Sequence, residues 1–306
     1  MGGNESVVKV KSMTSKNKGD KLFYAINDSI LLLALLVVLY PVIFVISSSF
    51  SSGKAVSMGL VVLWPVEFSL EGYKTTFEYP LIISGFRNTF FYMITGTTIN
   101  LMVTVLAAYP LSRSKMLGRG ILMFLFTFTM IFTGGLIPNY ILMQRLHLVN
   151  TRWVMLLPGA VSVFNLIVCR TYFQNNIPEE LFESASMDGC NHIRFLANIV
   201  LPLSKPILAV LTLYYAVGHW NAYFNAFIYL SDRSKFPLQI ILREILVMNM
   251  IDPSSTFDPE LEVAKYGMAD LLKYSLIVVS TAPFMIAYPF VAKHFVKGAL
   301  SGAIKG

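Results

Sequence analysis

The stretch LFESASMDGCNHIRFLANIVLPLSKPI, residues 181–207, is polar and charged in the middle of an otherwise apolar chain. Just before it, Pro178 and the two glutamates that follow stand where a first helical turn favours proline and negative charge. Gly189 predicts the end of that helix, because glycine readily adopts the left-handed conformation that closes one. Asn191 predicts the N-cap of a second short helix. The stretch therefore predicts two short helices joined by a turn, lying in water.

The composition around this stretch is that of a membrane protein. Of 306 residues, 55% are hydrophobic and 13% are charged, whereas soluble domains carry roughly 25% charged residues. The missing charge leaves long stretches without ionisable side chains, which is typical of helices that span a bilayer. We therefore predict an all-α, polytopic membrane protein with a single domain.

Six segments have a length near the ~20 residues that a bilayer requires. Gly134, Gly135 and Pro138 are expected to break or end the third of them. The six predicted transmembrane helices are Ile30–Ile46, Asn88–Leu111, Ile121–Met143, Trp153–Cys169, Pro206–Leu230 and Tyr274–Ala292.

The flanks of these segments predict the orientation of the chain. Short loops and tails on one side carry the basic residues, and such residues mark the cytoplasmic side. They are Lys9, Lys11, Lys16, Lys18, Lys21, Arg113, Lys115, Arg119, Lys293, Lys297 and Lys305. Both termini are therefore expected in the cytoplasm. The net charge of +7 follows from this placement, so we expect membrane lipid and no nucleic acid as a partner.

The predicted organisation has a membrane domain between two tails. The divisions are a cytoplasmic basic tail at 1–29, a six-span domain at 30–295 with short cytoplasmic helices at 178–201 and an outer loop at 231–273, and a cytoplasmic C-terminal tail at 296–306.

Several chemistries lack the residues that they would need. Cys169 and Cys190 have no metal-ligand spacing, and both lie near the predicted cytoplasmic side, so neither a metal site nor a disulfide is expected. There is no G-x-x-x-x-G-K-[ST] phosphate-binding loop. Intramembrane carboxylates of the kind used by ion-coupled carriers are also missing. We therefore expect no catalytic residues and no cofactor bound by this chain.

The polar stretch resembles the "EAA" loop of ABC-type importer permeases, whose pattern is E-A-A, three residues, G, nine residues, I-x-L-P. The spacing is intact, with Ser184 where the family's first alanine usually stands. In that family the loop is a pair of coupling helices that sits in a groove of the ATPase subunit. The resemblance assigns this contact to Glu183, Ser184, Ala185, Asp188, Gly189, Ile199, Leu201 and Pro202.

A wider resemblance covers most of the chain. The segments LAAYPLSR, TRWVMLLPGAVSVFN, LPLSKPILAVLTLYYAVGHWNAYFNAFIYL and FPLQIILREIL are similar to the maltose-type carbohydrate permeases, and most of all to those for complex oligosaccharides. The resemblance implies the type I ABC importer permease (MetI-like) fold in a bacterial cytoplasmic membrane.

The same resemblance implies a mechanism and a set of partners. The chain would be the permease subunit of an ATP-driven importer, moving a sugar by alternating access and not itself an enzyme. It would pair with a second homologous permease, with two ATPase subunits that bind ATP and Mg²⁺, and with an extracellular or lipid-anchored solute-binding protein.

One cluster is a candidate for the translocation pathway. His219 is the only ionisable side chain within the predicted spans, apart from their ends, and an intramembrane ionisable residue is a functional candidate. Aromatic rings beside it could stack on sugar rings, and asparagines could bond hydroxyl groups. The alternative is that the cluster only packs helices together and forms an outer aromatic belt. The candidates are Tyr215, His219, Trp220, Asn221, Phe224 and Asn225.

Two further segments have open interpretations. The outer-loop stretch FPLQIILREILVMNM has apolar residues near helical spacing, and it could contact a solute-binding protein or lie on the membrane surface. The tail FVKGALSGAIKG resembles the tail that inserts between the ATPase subunits of maltose-type permeases, with Gly302, Lys305 and Gly306 as candidates. The alternative for the tail is a frayed basic terminus.

An alternative function belongs to another class. The chain could be a polytopic scaffold or assembly protein that docks an ATPase without carrying solute. Loss of oligosaccharide uptake in a deletion strain that still expresses the ATPase would distinguish the two functions.

Overall fold

The computed structural model describes residues 18–248 and 267–286, and every regular element among them is helical. The α-helices, in chain order, are α1 Lys18–Ser49, α2 Gly53–Ser57, α3 Glu71–Glu78, α4 Pro80–Ser112, α5 Arg119–Ile131, α6 Leu136–Arg145, α7 Val163–Asn176, α8 Glu179–Met187, α9 His192–Phe195, α10 Leu201–Leu203, α11 Lys205–Trp220, α12 Phe224–Tyr229, α13 Leu238–Met248 and α14 Gly267–Ile286. Short 3₁₀ turns cover Arg152–Met155 and Arg233–Lys235, and a π turn, Leu196–Val200, joins α9 to α10.

Three helices are long and apolar enough to cross a bilayer on their own. They are α1, α4 and α14, which contain most of the first, second and sixth predicted segments. Two bent pairs, α5 with α6 and the His192–Leu203 helix with α11, raise the number of spans in the described part of the chain to as many as five. The all-helical membrane fold is therefore confirmed; residues 18–248 and 267–286 contain three to five spans, and the sequence predicted six for the whole chain.

The third predicted segment breaks where its glycines indicated. α5 ends at Ile131 and α6 begins at Leu136, with an angle of 113° between them. Gly135 lies in the break with a φ of +81°, a conformation that a side chain would strain. The predicted break in the third segment is therefore confirmed.

The fourth predicted segment, Trp153–Cys169, was placed wrongly. Its first residues form a 3₁₀ turn, and α7 begins only at Val163. Pro158 and Gly159 interrupt the apolar run, and the Ser162 side chain accepts a hydrogen bond from the Asn165 N–H (3.4 Å) at the start of α7. The resulting helix has 14 residues, too few to cross a bilayer alone.

Helix ends elsewhere also differ from the prediction. α1 begins at Lys18, twelve residues before the predicted Ile30, so part of the predicted basic tail is helical. The fifth segment divides at Asn221, where α11 has ended and before α12 begins. α13 occupies the predicted outer loop, as the helical spacing there indicated.

α4 is the centre of the bundle. It packs against α7, α11 and α13, and its buried apolar residues belong to two clusters, one near each end of the helix. The cluster near its start includes Tyr92 and Leu238, and the cluster near its end includes Phe173 and Phe195. In contrast, none of the most apolar 18 residues of α1 is buried.

Candidate functional site

The candidate coupling loop, residues 178–203, begins with a helix that ends as the sequence indicated. Gly189 has a φ of +78° directly after α8. Its N–H donates to the Ser186 carbonyl (3.0 Å), and the Cys190 N–H donates to the Ala185 carbonyl (3.0 Å). These two bonds form the Schellman motif, which pairs carbonyls that a helix end otherwise leaves free.

The second helix of the loop is capped by Asn191. The Asn191 Oδ1 atom accepts a hydrogen bond from the Arg194 N–H (2.9 Å). The helix then continues through the π turn and past Pro202, so it ends at Leu203, two residues later than the predicted 201. It meets α11 at 83°. Ile199 and Leu201 are partly buried against the cluster near the end of α4.

Aromatic side chains connect the two short helices to each other and to α4. The Phe182 ring stacks on the His192 imidazole, with 4.2 Å between centroids and 11° between planes. Phe182 also meets the buried Phe195 edge-on at 5.1 Å. The His192 Nδ1 atom lies 3.0 Å from the Tyr109 hydroxyl of α4. The loop is therefore packed directly on the end of α4.

Charged side chains add a second link between α8 and the loop after α4. The Lys115 Nζ atom lies 2.8 Å from Glu183 Oε1, with 71% and 54% of the two side chains exposed. The hydrogen bond to Glu183 raises the pKa of Lys115 above its ordinary value. Arg113 NH1 lies 4.0 Å from Glu179 Oε2. Glu183, which the resemblance assigns to the ATPase contact, thus contacts a cation of its own chain here.

The outer surface of the loop is open and partly apolar. Met187 is 85% exposed and Ile193 is 79% exposed. Ser184 and Asp188 are also exposed, and the Ser184 hydroxyl donates to the Glu180 carbonyl of its own helix. Exposed apolar side chains rimmed by polar ones are typical of a protein interface.

Two candidate pathway residues form polar pairs between α11 and α4. The Tyr215 hydroxyl lies 2.7 Å from Thr104 Oγ1, and His219 Nε2 lies 2.6 Å from Asn100 Oδ1. On each helix the two residues are four positions apart, so they share one face. A Cβ atom at Gly96 would collide with the His219 ring, so this glycine permits the close approach.

Both pairs also hold the irregular backbone before α7. The Asn100 side-chain N–H₂ donates to the Gly159 carbonyl (2.6 Å). The Ser162 N–H donates to the Tyr215 hydroxyl (3.4 Å). Backbone polar groups that no helix satisfies need such partners inside a bilayer. The pairs therefore fix three segments of the chain together.

Trp220 packs among other aromatic rings. It is buried, and its ring centroid lies 6.3, 5.4 and 5.1 Å from those of Phe86, Phe90 and Phe284. This environment favours the packing alternative for Trp220. The remaining candidates, Asn221, Phe224 and Asn225, are all exposed at or beyond the end of α11. The structure thus divides the six candidates into a group that is buried (Tyr215, Trp220) or half-buried (His219) and an exposed group.

The end of the molecule near the start of α4 contains a polar network that the sequence did not indicate. The Asn150 side chain accepts bonds from the Ser231 and Asp232 N–H groups (3.1 and 3.0 Å), and the Asn150 carbonyl accepts one from Lys235 Nζ (2.8 Å). Hydrogen bonds from Ser234 and Lys235 lower the pKa of Asp232 to about 2. These partners are about 80 residues apart in the chain, so spacing alone could not pair them.

The outer loop also rests on α4. The Asn88 side chain of α4 donates to the Ser234 and Phe236 carbonyls (2.8 and 3.0 Å), and Thr89 Oγ1 accepts from the Leu238 N–H (2.8 Å). Leu238 and Ile241 of α13 are buried in the adjoining apolar cluster. One face of this helix is therefore covered by its own chain.

Some predicted residues lie outside the described ranges. They are residues 1–17 of the predicted basic tail, residues 249–266 of the outer loop, and all residues after Ile286, including the tail candidates Gly302, Lys305 and Gly306. Within 18–248 and 267–286, no group of three or more His, Cys, Asp or Glu side chains could hold a metal ion. Both cysteines are free, Cys169 buried and Cys190 partly exposed.

Comparison with known proteins adds to this geometry. Residues 100–300 match the model of a family described as the binding-protein-dependent transport system inner membrane component. The polygalacturonan/rhamnogalacturonan transport system permease protein YtcP of Bacillus subtilis is 39% identical over 94% of this chain and 99% of its own. Protein LplC of the same organism is 37% identical over 88% of this chain and 90% of its own.

A solved structure is similar as well. It is that of a bacterial ABC transporter involved in the import of the acidic polysaccharide alginate. One of its chains superposes with a TM-score of 0.84 at 35% identity, covering 91% of this chain and 98% of the other.

Proposed function

This chain belongs to the binding-protein-dependent transport system inner membrane component family, and we propose that it carries an oligosaccharide into a bacterial cell. It is a permease subunit of an ABC importer and not itself an enzyme. Such an importer works with a substrate-binding protein and an ATPase.

Similarity over nearly the whole chain is the observation that carries this proposal. The relative with 39% identity, matched over 94% of this chain, is named for polygalacturonan/rhamnogalacturonan transport. The similar structure belongs to a transporter that imports alginate. Both names refer to long sugar polymers, and they support an oligosaccharide as the substrate.

The coupling loop is proposed to receive motion from a separate ATPase chain, which binds ATP and Mg²⁺. The residues that make this contact are those of the EAA pattern, Glu183 to Gly189 with Ile199 to Pro202. The exposed Met187 and Ile193 side chains support it, because they offer apolar surface to a partner.

Motion of this loop would move α4 and α11 together. The second helix of the loop leads directly into α11 through Ser204. α11 is bonded to α4 through the Tyr215–Thr104 and His219–Asn100 pairs. A displacement of the loop would therefore tilt both helices as one unit and open the path alternately to each side.

The sugar is proposed to meet the exposed end of α11. Asn221 and Asn225 offer donors and acceptors to hydroxyl groups, and the exposed Phe224 offers a ring face. The buried Tyr215 and Trp220 and the half-buried His219 would support this surface from within the bundle. A second homologous permease would complete the path, with a solute-binding protein outside and both termini of this chain in the cytoplasm.

Sugar uptake in a deletion strain tests this function. Cells that lack the gene but retain the ATPase should lose uptake of labelled oligogalacturonides or alginate oligosaccharides, and the wild-type chain should restore it. Asn221→Ala and Asn225→Ala should each lower uptake about fivefold, since one lost hydrogen bond costs about 1 kcal/mol. Asn175→Ala, an exposed residue near the end of α7, serves as the matched control. Normal uptake of every oligosaccharide in the deletion strain would show that the chain carries none of them.

A further inference from the structure

A cavity of about 520 Å³ lies between the C-terminal end of α4 and the coupling loop. Its walls are mostly apolar. α4 contributes Leu106 and Tyr109, and the coupling loop contributes Phe182, Ile193 and Leu196. This cavity is at the opposite end of α11 from the exposed asparagines, so it is separate from the proposed sugar path.

Arg113 is the unusual member of the cavity wall. Only 7% of its side chain is exposed, yet neither NH1 nor NH2 has a hydrogen-bond partner. The nearest carboxylate oxygen, on Glu179, is 4.0 Å away, which is too far for a hydrogen bond. The guanidinium carbon lies 5.2 Å from the centroid of the Tyr109 ring. A buried cation with four unused N–H donors indicates a site for an acceptor group.

The depth of the cavity indicates which acceptor reaches it. α4 has 33 residues, so it rises about 50 Å, and the hydrocarbon core is only ~30 Å thick. Its end, where Arg113 lies, therefore reaches the headgroup level. Leu106 is seven residues earlier, about 10 Å deeper, and is 63% exposed. The cavity thus extends from the acyl region to the headgroup region.

We propose that this cavity binds an anionic phospholipid, with its phosphate on Arg113 and an acyl chain along Leu106 and Leu196. A guanidinium matches phosphate oxygens with paired, charge-assisted hydrogen bonds. Basic pockets between transmembrane helices on the cytoplasmic side suit acidic headgroups. Apolar walls suit a lipid better than a free, hydrated phosphate ion.

The formal charges around the cavity balance, two positive against two negative, so the unpaired donors of Arg113 and not a net charge attract the phosphate. Arg113 and Lys115 contribute two positive charges to the wall, and Glu179 contributes one negative charge. Glu183 is engaged by Lys115 at the rim. The bound lipid would touch Phe182 and Ile193 as well as α4, and so would brace the coupling loop against the membrane helices.

Native mass spectrometry of the purified importer complex tests this proposal. After lipid removal, the complex is titrated with phosphatidylglycerol or with phosphatidylcholine. Phosphatidylglycerol should be retained on the wild-type complex, and Arg113→Gln should weaken its retention about tenfold or more, as loss of charged hydrogen bonds does. Arg87→Gln, an exposed arginine near the start of α4 and far from the cavity, should leave retention unchanged.

A second variant separates binding from folding. Leu106 is 63% exposed at the cavity wall, so Leu106→Trp should fill the cavity without disturbing the core or the surface proposed for the ATPase, and it should also reduce retention. Equal retention of phosphatidylcholine would overturn the proposal. So would displacement of phosphatidylglycerol by millimolar inorganic phosphate, which would indicate a free-anion site. Full retention of phosphatidylglycerol by both variants would overturn it as well.

Discussion

At the scale of single residues, Gly189 fixes the angle between the two helices of the coupling loop. Its φ of +78° lies in a region where a β-branched residue is strained by about 1 kcal/mol or more. Gly189→Val should therefore misdirect the second helix and uncouple ATP hydrolysis from sugar uptake. The measurement is the ratio of sugar uptake to hydrolysis, together with the amount of ATPase that co-purifies.

Asparagine at the same position provides the control for Gly189→Val. Asn tolerates the left-handed conformation, so Gly189→Asn should retain most of the coupling. If Gly189→Val also retains wild-type coupling, the orientation of the second helix does not matter for transport.

Gly96 has a different role, because it makes room for a side chain. A Cβ atom there would collide with the His219 ring, so Gly96→Ala should overpack the contact between α4 and α11 and lower stability by about 1–3 kcal/mol. Gly218→Ala is the matched control, since nothing lies within 4 Å of its Cβ position. Thermal unfolding of the purified complex should show a lower midpoint for Gly96→Ala only. Equal midpoints would mean that His219 moves aside without cost.

Some residues of the site could be predicted from the sequence and others could not. Gly189 and Asn191 follow local rules of helix capping, so their conformations could be inferred from their neighbours alone. The bond between Asn100 and His219 joins positions 119 residues apart, and nothing local indicates it. Arg113 was interpreted only as a marker of orientation, because its burial depends on how the loop packs on α4.

At the scale of elements, the start of α7 shows what the segment analysis missed. Hydropathy alone extended the fourth span from Trp153, although Pro158 and Gly159 form a strong turn signal and Ser162 is a good N-cap. The irregular backbone is tolerated there because Asn100 and Tyr215 bond it. Apolar composition indicates that a segment lies out of water, in protein or in lipid, but not that it is helical throughout.

α8 is connected to the loop after α4 by an exposed ion pair, which supplies a test of its docking role. Lys115 and Glu183 are both more than half exposed, so solvent screens the pair and it contributes little to stability. If Glu183 pairs with a cation of the ATPase, Glu183→Lys should lose the ATPase, because two positive charges then meet at the interface. Lys115→Glu should keep the ATPase. Retention of ATPase on the immobilised permease measures both effects.

The charge-swapped double variant distinguishes the two roles of Glu183. If Glu183 acts on the ATPase, the combination of Lys115→Glu with Glu183→Lys should lose the ATPase as the single Glu183→Lys variant does. Recovery of ATPase retention in the double variant would instead show that the pair positions α8 within its own chain.

At the scale of the whole molecule, the chain covers its polar groups unevenly. The polar residues at the centre of α4 are satisfied internally, as Asn100 and Thr104 illustrate. In contrast, α6 leaves Asn139 and Gln144 exposed within or next to the predicted third span, and α1 buries none of its apolar window. Lipid could cover α1, but an exposed amide in a bilayer requires a polar partner. The exposed surface of α6 is therefore where a second permease is expected to bind.

We accordingly predict that the chain forms an active importer only with a sister permease. Asn139→Cys on α6 should form a crosslink to that permease in membranes, whereas Asn175→Cys, near the end of α7, should not. When the chain is expressed with the ATPase alone, we expect no sugar-stimulated ATP hydrolysis. Without the sister permease, the sugar path lacks one of its two subunits and the polar surface of α6 has no partner. The measurement is the rate of ATP hydrolysis by the purified complex, whose subunit composition is determined by mass spectrometry. An active complex containing only this permease and the ATPase would show that this chain can serve as both halves of the path.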